Sequence, residues 1–506
     1  MNIYDYFLGD RITEGRGDRT ALLSDAGATS YDDVHAGAGR VASLLADLGV
    51  SPGDRVLIAL PDGVDYVTTL FGVLRRGAVV VMVNPHLSPD QVTYFIDYTT
   101  PSVLITNMDG HASCAAAMER ADHPSQLLLL DDPEIRSRLD AAPADSEVYP
   151  TSPDAPAVFL FSGGTTGHPK AVVQTHRSFA NTTKLYGQDV LALTEDDVTL
   201  SVPKLFFGYA TGTNLFFPFS VGATSALFSE RCTADELFRR IEQWRPTVLV
   251  NVPTMVNNLL ADESAGGRDV SSLRLATSAG EALPEELHRR WDERFGVPLL
   301  DGLGTAEMWH IFISNRPDDV RPGTLGRVVD GFEVLACDDE GNEVATGEVG
   351  VMRVRGDSLA LGYWQDEEKS QSAFRDGWYV SSDMISIDDA GYVTYGGRAD
   401  DMLKVSGKWL SPKELENCLL EHDAVREAAV VGVRTTDGLV KPSAFVVLRD
   451  RDAASDALAA ELQSWAKERL EPYKYPRSVT FLLGLPRTHL GKVDRGRLGR
   501  SGSTAE

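Results

Sequence analysis

The chain has 506 residues, of which 43% are hydrophobic and 24% are charged. These values are ordinary for a globular protein and exclude a disordered, collagen-like or coiled-coil chain. The 48 Lys and Arg residues are outnumbered by 74 Asp and Glu residues, so the net charge is −26. Such a charge disfavours binding to nucleic acid or to an anionic membrane surface, and a polyanionic ligand would need a local basic site.

The cysteines and the first residues predict the compartment. Four cysteines are scattered along the chain without Cys-x-x-Cys spacing, so no disulfide framework is expected. Residues 1–10 contain neither a basic region nor an apolar run, and no apolar stretch approaches the roughly 20 residues that a membrane span needs. We therefore expect a cytoplasmic protein that does not enter a membrane.

The first 300 residues alternate between two hydrophobic patterns. Residues 56–60 and 78–83 are continuous β-branched runs, which are typical of strands buried on both faces. Residues 34–48 have helical spacing between them. The alternation continues with a helix at 234–244, strands at 248–252 and 273–276, and a helix at 284–295. This order predicts an α/β fold with largely parallel sheets and flanking helices.

From about Gly323 the pattern changes to short alternating segments, such as 349–354, separated by Gly-containing turns. This predicts a small antiparallel β region, barrel-like or sandwich-like, over about 323–399.

A second change comes near residue 400. Residues 1–399 contain 31 basic and 58 acidic side chains, whereas residues 400–506 contain 17 and 16. The C-terminal pattern reads helix (412–420), strand (428–433), strand (444–448), helix (454–470) and strand (478–482). We therefore predict a large N-terminal domain, 1–399, and a small α+β domain, 400–506.

The most specific motif is FLFSGGTTGHPKAVVQTH, residues 159–176. A strand runs into a loop of glycines and hydroxyl residues, and Lys170 precedes a second strand. Glycines let backbone N–H groups approach an anion, so the loop is a candidate polyphosphate clamp. It is not a Walker A loop, because Pro169 precedes the lysine and a strand follows. The alternative is a flexible surface loop.

The segment SGGTTGHPK resembles the signature loop of the adenylate-forming superfamily, which includes acyl- and aryl-CoA synthetases. Further elements resemble that superfamily in the same order. The DGLGTAE segment resembles its aromatic-Gly-x-Thr-Glu element, Ser382-Asp383 its ribose-binding Asp, Gly397–Asp400 its hinge motif, and Gly491-Lys492 its catalytic lysine motif. The similarity spans essentially the whole chain.

Within the superfamily the chain is most similar to benzoate-type aryl-CoA ligases. Four segments carry this resemblance: KLFFG (204–208) with Tyr209, EMWHIFISNRP (307–317), DDMLKVSG (400–407) and YKYP (473–476).

This resemblance implies a two-step reaction. An aromatic carboxylate attacks the α-phosphate of ATP, pyrophosphate leaves, and the thiol of coenzyme A then displaces AMP. ATP, Mg²⁺ and coenzyme A are the implied cofactors. The resemblance also implies that the small domain is mobile and rotates about Asp400 between the two steps. We expect a monomer or a homodimer.

The resemblance assigns roles to individual residues. Lys492 is the implied catalytic cation, and Glu307 with Thr165 would hold Mg²⁺. The implied ATP- and AMP-binding residues are Ser162, Gly163, Gly164, Thr165, Thr166, Gly167, Lys170, Gly280, Glu281, Ala282, Asp301, Gly302, Leu303, Gly304, Thr305, Asp383, Arg398 and Lys492. The expected acid pocket comprises Phe206, Phe207, Gly208, Tyr209, Ser278, Gly304, Trp309 and His310, since aromatic walls with glycine gaps suit a flat ring. Gly407, Lys408 and Trp409 are expected to contact the thiol arm.

Three alternatives stay open. The acceptor could be the phosphopantetheine of a carrier protein, or another nucleophile, instead of free coenzyme A. The protein could bind an acyl-adenylate without catalysis, although the retained Lys492, Glu307, Asp383 and Arg398 argue against this. A P-loop ATPase would release ADP instead of AMP, and the loop spacing disfavours it.

Overall fold

The structure is a computed structural model that describes residues 1–163, 168–399, 403–405, 408–434, 440–471, 473–487 and 493–502. For residues 404, 408, 409, 434 and 500–502 it describes the backbone alone. Among the described residues, every helix is too short or too polar to cross a lipid bilayer.

Two mostly parallel sheets and their connecting helices form the first part of the chain. The strands are β1 (Thr20–Ser24), β2 (Gly27–Ser30), β3 (Arg55–Ile58), β4 (Val79–Met82), β5 (Val103–Thr106), β6 (Gln126–Leu129), β7 (Pro156–Ser162), β8 (Lys170–Thr175), β9 (Val198–Ser201), β10 (Thr224–Ala226), β11 (Val248–Asn251), β12 (Leu275–Ser278), β13 (Leu299–Gly304), β14 (Ile311–Ser314) and β15 (Arg327–Val328). The helices are α1 (Asp10–Thr13), α2 (Tyr31–Asp47), α3 (Val64–Arg75), α4 (Pro89–Thr99), α5 (Met108–Met118), α6 (Pro133–Ala141), α7 (His176–Thr182), α8 (Gly208–Thr211), α9 (Phe217–Val221), α10 (Ala234–Trp244), α11 (Pro253–Ala261) and α12 (Glu285–Phe295).

The first sheet has the strand order β6-β5-β3-β4-β7-β8. Its strands are parallel except for the final pair, because β7 and β8 are joined by the glycine-rich loop and run antiparallel. Every residue of β4 and β5 is buried, as expected for strands covered on both faces.

The second sheet has the order β15-β14-β13-β12-β11-β9-β10-β1-β2. It is parallel from β13 to β1 and antiparallel at both ends. The largest apolar cluster joins strands of the first sheet to helices α2 and α3 and to the aromatic side chains Phe216, Phe217 and Trp309. The predicted α/β architecture is confirmed.

Local signals in the sequence explain where helices begin. Before α2, the Ser30 hydroxyl accepts a hydrogen bond from the backbone N–H of Asp33, and the Asp33 carboxylate accepts one from Ser30. Before α4, Ser88 and Gln91 form the same reciprocal cap, and Pro89 is the first helical residue. Both arrangements satisfy N–H groups that a helix leaves free at its start.

An antiparallel sheet follows, as the change of pattern near Gly323 predicts. Its elements are β16 (Glu333–Cys337), β17 (Gly350–Arg355), α13 (Glu367–Ala373), β18 (Phe374–Arg375), β19 (Trp378–Ile387) and β20 (Val393–Arg398). The strand order is β16-β17-β19-β18, and β20 pairs with the other end of β19.

The remaining residues form the predicted α+β region. Its elements are β21 (Leu403–Val405), β22 (Lys408–Leu410), α14 (Pro412–Leu420), β23 (Val425–Arg434), β24 (Val440–Leu448), α15 (Asp456–Arg469), β25 (Ser478–Phe481) and α16 (Arg495–Gly502). Strand β24 lies between β23 and β25, and its buried residues share a core with α14 and α15. The division at residue 400 stays a prediction, because Asp400 lies outside the described residues.

Candidate active site

The predicted site residues gather where parallel strands of the second sheet end. Ser278 is the last residue of β12 and pairs in register with Asp301 of β13. Thr277 lies beside Ser278, and Gly302 and Gly304 continue β13. The carboxyl end of an open α/β sheet is the usual position of a ligand site.

Glycine is required at two of these positions because β13 and β14 pair closely. A Cβ atom placed on Gly304 would lie 2.4 Å from the backbone oxygen of His310. A Cβ atom on Gly302 would lie 2.8 Å from the backbone oxygen of Ile313. Both partners are backbone atoms, which cannot move aside as a flexible side chain can. The glycines therefore allow the hairpin that carries Glu307 and His310.

The turn between β13 and β14 connects the predicted nucleotide and acid subsites. Glu307 lies in a short 3₁₀ turn, Ala306–Met308, and Trp309 then adopts a φ of 63°. The turn is held from outside, because Gln174 donates from Nε2 to the Ala306 oxygen at 2.6 Å. The backbone N–H of Ala360 donates to the Glu307 oxygen at 2.9 Å. A left-handed φ on a bulky residue is sterically unfavourable, so the surrounding contacts must maintain it.

The Glu307 side chain is only 4% exposed. Tyr363 donates its hydroxyl hydrogen to Glu307 Oε1 at 2.8 Å. Burial raises the pKa of Glu307, while the hydrogen bond from the Tyr363 hydroxyl opposes that rise. A buried carboxylate held by a hydroxyl donor offers the hard oxygen ligands that Mg²⁺ prefers, so Glu307 fits the predicted metal role.

The predicted ribose ligand Asp383 lies on β19 with two other polar residues on the same face, Tyr379 and Ser381. The Ser381 hydroxyl donates to Asp383 Oδ2 at 2.7 Å, and the Tyr395 hydroxyl donates to Oδ1 at 3.0 Å. Asp383 pairs in register with Arg398 of β20, which donates to the Ser382 hydroxyl. The structure therefore brings Asp383 and Arg398 together.

The stem of the glycine-rich loop is closed by Ser162 and Lys170, which are opposite each other in the β7–β8 pair. Lys170 Nζ lies 2.8 Å from Asp366 Oδ2. Among the described residues, no atom would lie within 4 Å of a Cβ atom on Gly163. Gly164, Thr165, Thr166 and Gly167 lie outside the described residues.

The other predicted nucleotide residues have different environments. Gly280 has a φ of +85°, and Glu281 accepts a hydrogen bond from the Thr254 hydroxyl at 2.8 Å, with the half-buried Ala282 next to it. Leu303 is half-buried, and Asp301 is buried with its pKa raised by that burial. Thr305 is separated from Glu307 by Ala306, whereas the aromatic-Gly-x-Thr-Glu element has Thr directly before Glu.

The predicted acid pocket has aromatic walls at the start of α8. The Tyr209 hydroxyl and Thr277 Oγ1 lie 2.6 Å apart. The rings of Phe206 and Phe207 are 4.4 Å apart, and Phe207 is 43% exposed. A Cβ atom on Gly208 would lie 3.2 Å from the Leu160 side chain, which leaves little room for a larger residue.

His310 is neutral, and both of its ring nitrogens are engaged. Nδ1 accepts a hydrogen bond from the Ile311 N–H at 2.8 Å, so the proton must be on Nε2. Nε2 then donates to the Tyr209 backbone oxygen at 3.0 Å. Burial lowers the pKa of His310 to about 4. His310 therefore shapes the pocket by fixing Tyr209, and it carries no charge that could pair with a carboxylate.

Trp309 is placed differently from the other predicted pocket residues. Its side chain is 2% exposed, and its ring centroid is 4.1 Å from that of Phe179. Phe216 and Phe217 contact the same ring. Trp309 is thus part of the aromatic core behind the pocket, and a contact with the acid stays a prediction.

Several predicted residues cannot be placed. Lys492, Thr165, Asp400 and Gly407 lie outside the described residues, and the side chains of Lys408 and Trp409 are also not described. Their roles stay predictions.

Four tyrosine and acidic side chains were not predicted from the sequence: Tyr363, Asp366, Tyr379 and Tyr395. Tyr379 precedes Asp383 by four residues in a strand, and even spacing in a strand predicts a shared face. That signal could have identified Tyr379. Tyr363 and Asp366 carry no comparable signal, because they lie between regular elements.

Comparisons with known proteins identify the family of this chain. Residues 10–364 match the family described as AMP-binding enzyme, and residues 414–492 match the AMP-binding enzyme C-terminal domain. The chain belongs to this family of AMP-binding enzymes. A benzoate–CoA ligase of Thauera aromatica is 39% identical over 98% of this chain and 95% of its own length.

Solved structures of the family extend the similarity to the fold. A benzoate CoA ligase from Burkholderia xenovorans superposes with a TM-score of 0.91 at 40% identity, over 99% of this chain and 100% of that one. An anthranilate CoA ligase in complex with anthranoyl-AMP gives a TM-score of 0.94 at 35% identity, over 100% and 98% of the two chains. The parallel sheets, the antiparallel sheet and the C-terminal region are therefore those of adenylate-forming enzymes.

Proposed function

We propose that the protein is an AMP-forming aryl-CoA ligase that activates a benzoate-like acid. One observation carries this proposal. The turn from Gly304 to His310 holds the carboxylate of Glu307 on one side and, through the His310 ring, the backbone of Tyr209 on the other. A single rigid turn thus joins a site suited to phosphates with a site suited to an aromatic ring.

In the first step, an oxygen of the aryl carboxylate attacks the α-phosphorus of ATP, and the bond to pyrophosphate breaks. Both reactants are anions, so catalysis depends on positioning and on compensating charge. Glu307 and Thr165 would hold Mg²⁺, which supplies positive charge at the phosphate oxygens. Asp383 would accept hydrogen bonds from the ribose hydroxyls, and Lys492 is the proposed cation at the reacting oxygens.

In the second step, the thiolate sulfur of coenzyme A attacks the acyl carbon and AMP leaves. The acyl group is already activated, because AMP is a good leaving group. The reaction therefore needs no serine or cysteine nucleophile from the protein. We place the thiol arm near Gly407, Lys408 and Trp409 and the hinge at Asp400. ATP and coenzyme A as substrates favour the cytoplasm as the compartment.

The pocket chemistry supports an aromatic acid without a second charge. Tyr209 and Phe206 provide ring surfaces, and His310 is neutral with both nitrogens engaged. A flat apolar ring can stack against such walls, whereas a second carboxylate would lose its hydration beside these three described side chains, none of which is a cation. Relatives named for benzoate and anthranilate have substrates of this class.

The test measures AMP and pyrophosphate formed from ATP and Mg²⁺ with benzoates, cinnamates and short fatty acids, each with and without coenzyme A. We expect acid-dependent AMP that increases with coenzyme A, together with an aryl-CoA product, and the highest rates with benzoates. If acid-dependent pyrophosphate exchange occurs but does not change when coenzyme A is added, the acceptor is a carrier protein or another nucleophile. Release of ADP, or no acid-dependent product with any acid, would refute adenylation.

A further inference from the structure

Residues 361–366 lie along the outer edge of β8, beyond the glycine-rich loop. The N–H of Leu361 donates to the Val173 oxygen at 3.0 Å, and the N–H of Val173 donates to the Gly362 oxygen at 3.0 Å. The N–H of Trp364 donates to the Ala171 oxygen at 2.8 Å. This edge segment is therefore aligned with the strand that begins at Lys170.

Two side chains of the edge segment contact the two parts of the nucleotide site. Tyr363 donates its hydroxyl hydrogen to Glu307 Oε1 at 2.8 Å. Asp366 accepts from Lys170 Nζ, also at 2.8 Å. The four residues 363–366 thus connect the predicted metal ligand to the lysine of the glycine-rich loop.

Helix α4 fixes both the edge segment and the loop stem. The Trp364 indole donates to the Tyr98 backbone oxygen at 3.0 Å, and the Tyr98 hydroxyl donates to the Trp364 oxygen at 2.9 Å. The Tyr94 hydroxyl donates to the Pro169 oxygen at 2.7 Å, and the Tyr94 ring stacks on His168 at 4.7 Å. The contact between Lys170 and Asp366 therefore lies between two anchored segments.

Asp366 is held through both of its oxygens. Oδ2 accepts from Lys170, and Oδ1 accepts from the N–H of Lys369 at 3.0 Å, where it caps the start of α13. The Lys170 and Asp366 side chains are 22% and 32% exposed, so solvent screens the pair only in part. An ammonium paired with a carboxylate attracts a polyphosphate much less than a free ammonium does, because the pair is neutral as a whole.

We propose that residues 361–366 brace the nucleotide site, and that Lys170 is a positioning residue that holds the loop stem through Asp366 instead of binding phosphate directly. This inference rests on the proposed use of ATP. It assigns a function to Asp366 and changes the role that the sequence motif suggests for Lys170.

The test is a double-mutant cycle of Lys170→Met, Asp366→Asn and the double variant, with the Kd of ATP measured by calorimetry without any acid. Asn is a good helix cap, so Asp366→Asn removes the charge and keeps the start of α13. Lys184→Met is the matched control, because Lys184 also pairs with an aspartate, Asp189, and lies on the exposed surface. The Tm of each variant identifies any that fails to fold.

If the brace exists, both single variants and the double variant weaken ATP binding by the same factor, about three- to tenfold, and Lys184→Met has no effect. A direct phosphate contact predicts instead that Asp366→Asn binds ATP at least as well as the wild type while Lys170→Met binds it weakly. That result, independent multiplicative losses, or unchanged binding in all variants would overturn the inference. Failure of the wild type to bind ATP would refute the proposed function itself.

Discussion

The two halves of the candidate site give their ionisable groups different partners. On the acid side, burial shifts ionisable groups toward their neutral forms: the pKa of His310 falls to about 4 and the pKa of Asp62 rises to about 7. On the nucleotide side, carboxylates have donors and cations. Asp383 accepts from Ser381 and Tyr395, and the Lys170 hydrogen bond lowers the pKa of Asp366.

This difference explains how one cleft can hold an aromatic ring beside a triphosphate. A neutral, aromatic pocket removes water from the ring. On the other side, hydroxyl groups donate hydrogen bonds to Asp383 and Glu307, which suits carboxylates that meet ribose hydroxyls and a metal ion, although burial raises the pKa of Glu307. The turn at Glu307 separates the two environments over a few residues. The predictions below test that separation.

The largest effect is expected at the nucleotide side. Glu307→Gln removes the charge of the predicted metal ligand but keeps its shape and a hydrogen-bond acceptor for Tyr363. We expect acid-dependent pyrophosphate exchange to fall by about a hundredfold or more, because charge compensation at the phosphates is lost. If the variant kept the wild-type rate of pyrophosphate exchange at low Mg²⁺, Glu307 would not be a ligand of the metal.

The second prediction concerns Gly304, at the turn between the two environments. Gly304→Ala would place a Cβ atom 2.4 Å from the His310 oxygen, so β13 and β14 must separate. We expect a loss of stability of about 1–3 kcal/mol, as for overpacked sites, and weaker binding of both acid and ATP. The measurements are the Tm and the Kd values of acid and ATP.

Gly267→Ala is the control, because no atom of the described residues would lie within 4 Å of its Cβ atom. If the two variants lost the same stability and affinity, the close pairing of β13 and β14 would be contradicted.

The third prediction concerns the orientation of Glu307. Tyr363→Phe removes the hydroxyl that donates to Glu307 Oε1 and leaves the ring in place. We expect the Mg²⁺ concentration that gives half of the metal effect on ATP binding to rise about fivefold, because one hydrogen bond of roughly 1 kcal/mol is lost. Calorimetry at several Mg²⁺ concentrations measures this. A lower ATP affinity without any change in Mg²⁺ dependence would show that Tyr363 acts elsewhere.

The smallest effect is expected behind the acid pocket. Asp62 accepts from the Leu205 N–H at 2.9 Å, and its pKa is raised to about 7 by burial, with Lys204 opposing that shift and Tyr66 nearby. The folded protein therefore holds a proton that the unfolded chain releases near pH 4. This group makes the free energy of unfolding fall as pH rises from about 4 to 7.

Asp62→Asn removes this titration. Between pH 5.5 and 7 we expect the wild type to lose about 1–2 kcal/mol relative to the variant, which corresponds to a few degrees in the difference of Tm. The trend with pH, and not the offset at one pH, is the measurement, because the substitution also changes the hydrogen bonding of this buried side chain at every pH. Parallel Tm curves for the two proteins would show that Asp62 does not titrate in this range.

Much of the fold could be predicted because its signals are local. The helix predicted at 234–244 is α10, Ala234–Trp244, and the helix predicted at 412–420 is α14, Pro412–Leu420. The strand predicted at 56–60 is β3, Arg55–Ile58. Hydrophobic period and turn residues are properties of neighbouring positions, so they can be found without the fold.

Other features of the site could not be predicted. Nothing in the neighbouring sequence indicates that the two nitrogens of His310 are engaged by Ile311 and Tyr209, so its neutrality was unknown. Likewise, nothing in the neighbouring sequence indicates that Trp309 packs against Phe179. Tyr363 lies 56 positions from Glu307, and Asp366 lies 196 positions from Lys170. These contacts join distant parts of the chain.

The sequence by itself determined the order of strands and helices and the glycine-rich loop between two strands, which depend on hydrophobic spacing and on turn residues along the chain. The residues predicted for adenylation chemistry came from the resemblance of ordered motifs to the adenylate-forming superfamily. Only the tertiary structure decided which charges are paired, which polar atoms are engaged, and that Lys170 faces Asp366. The physical reason is that burial and distance set electrostatic energies, and both arise when segments far apart in the chain are packed together.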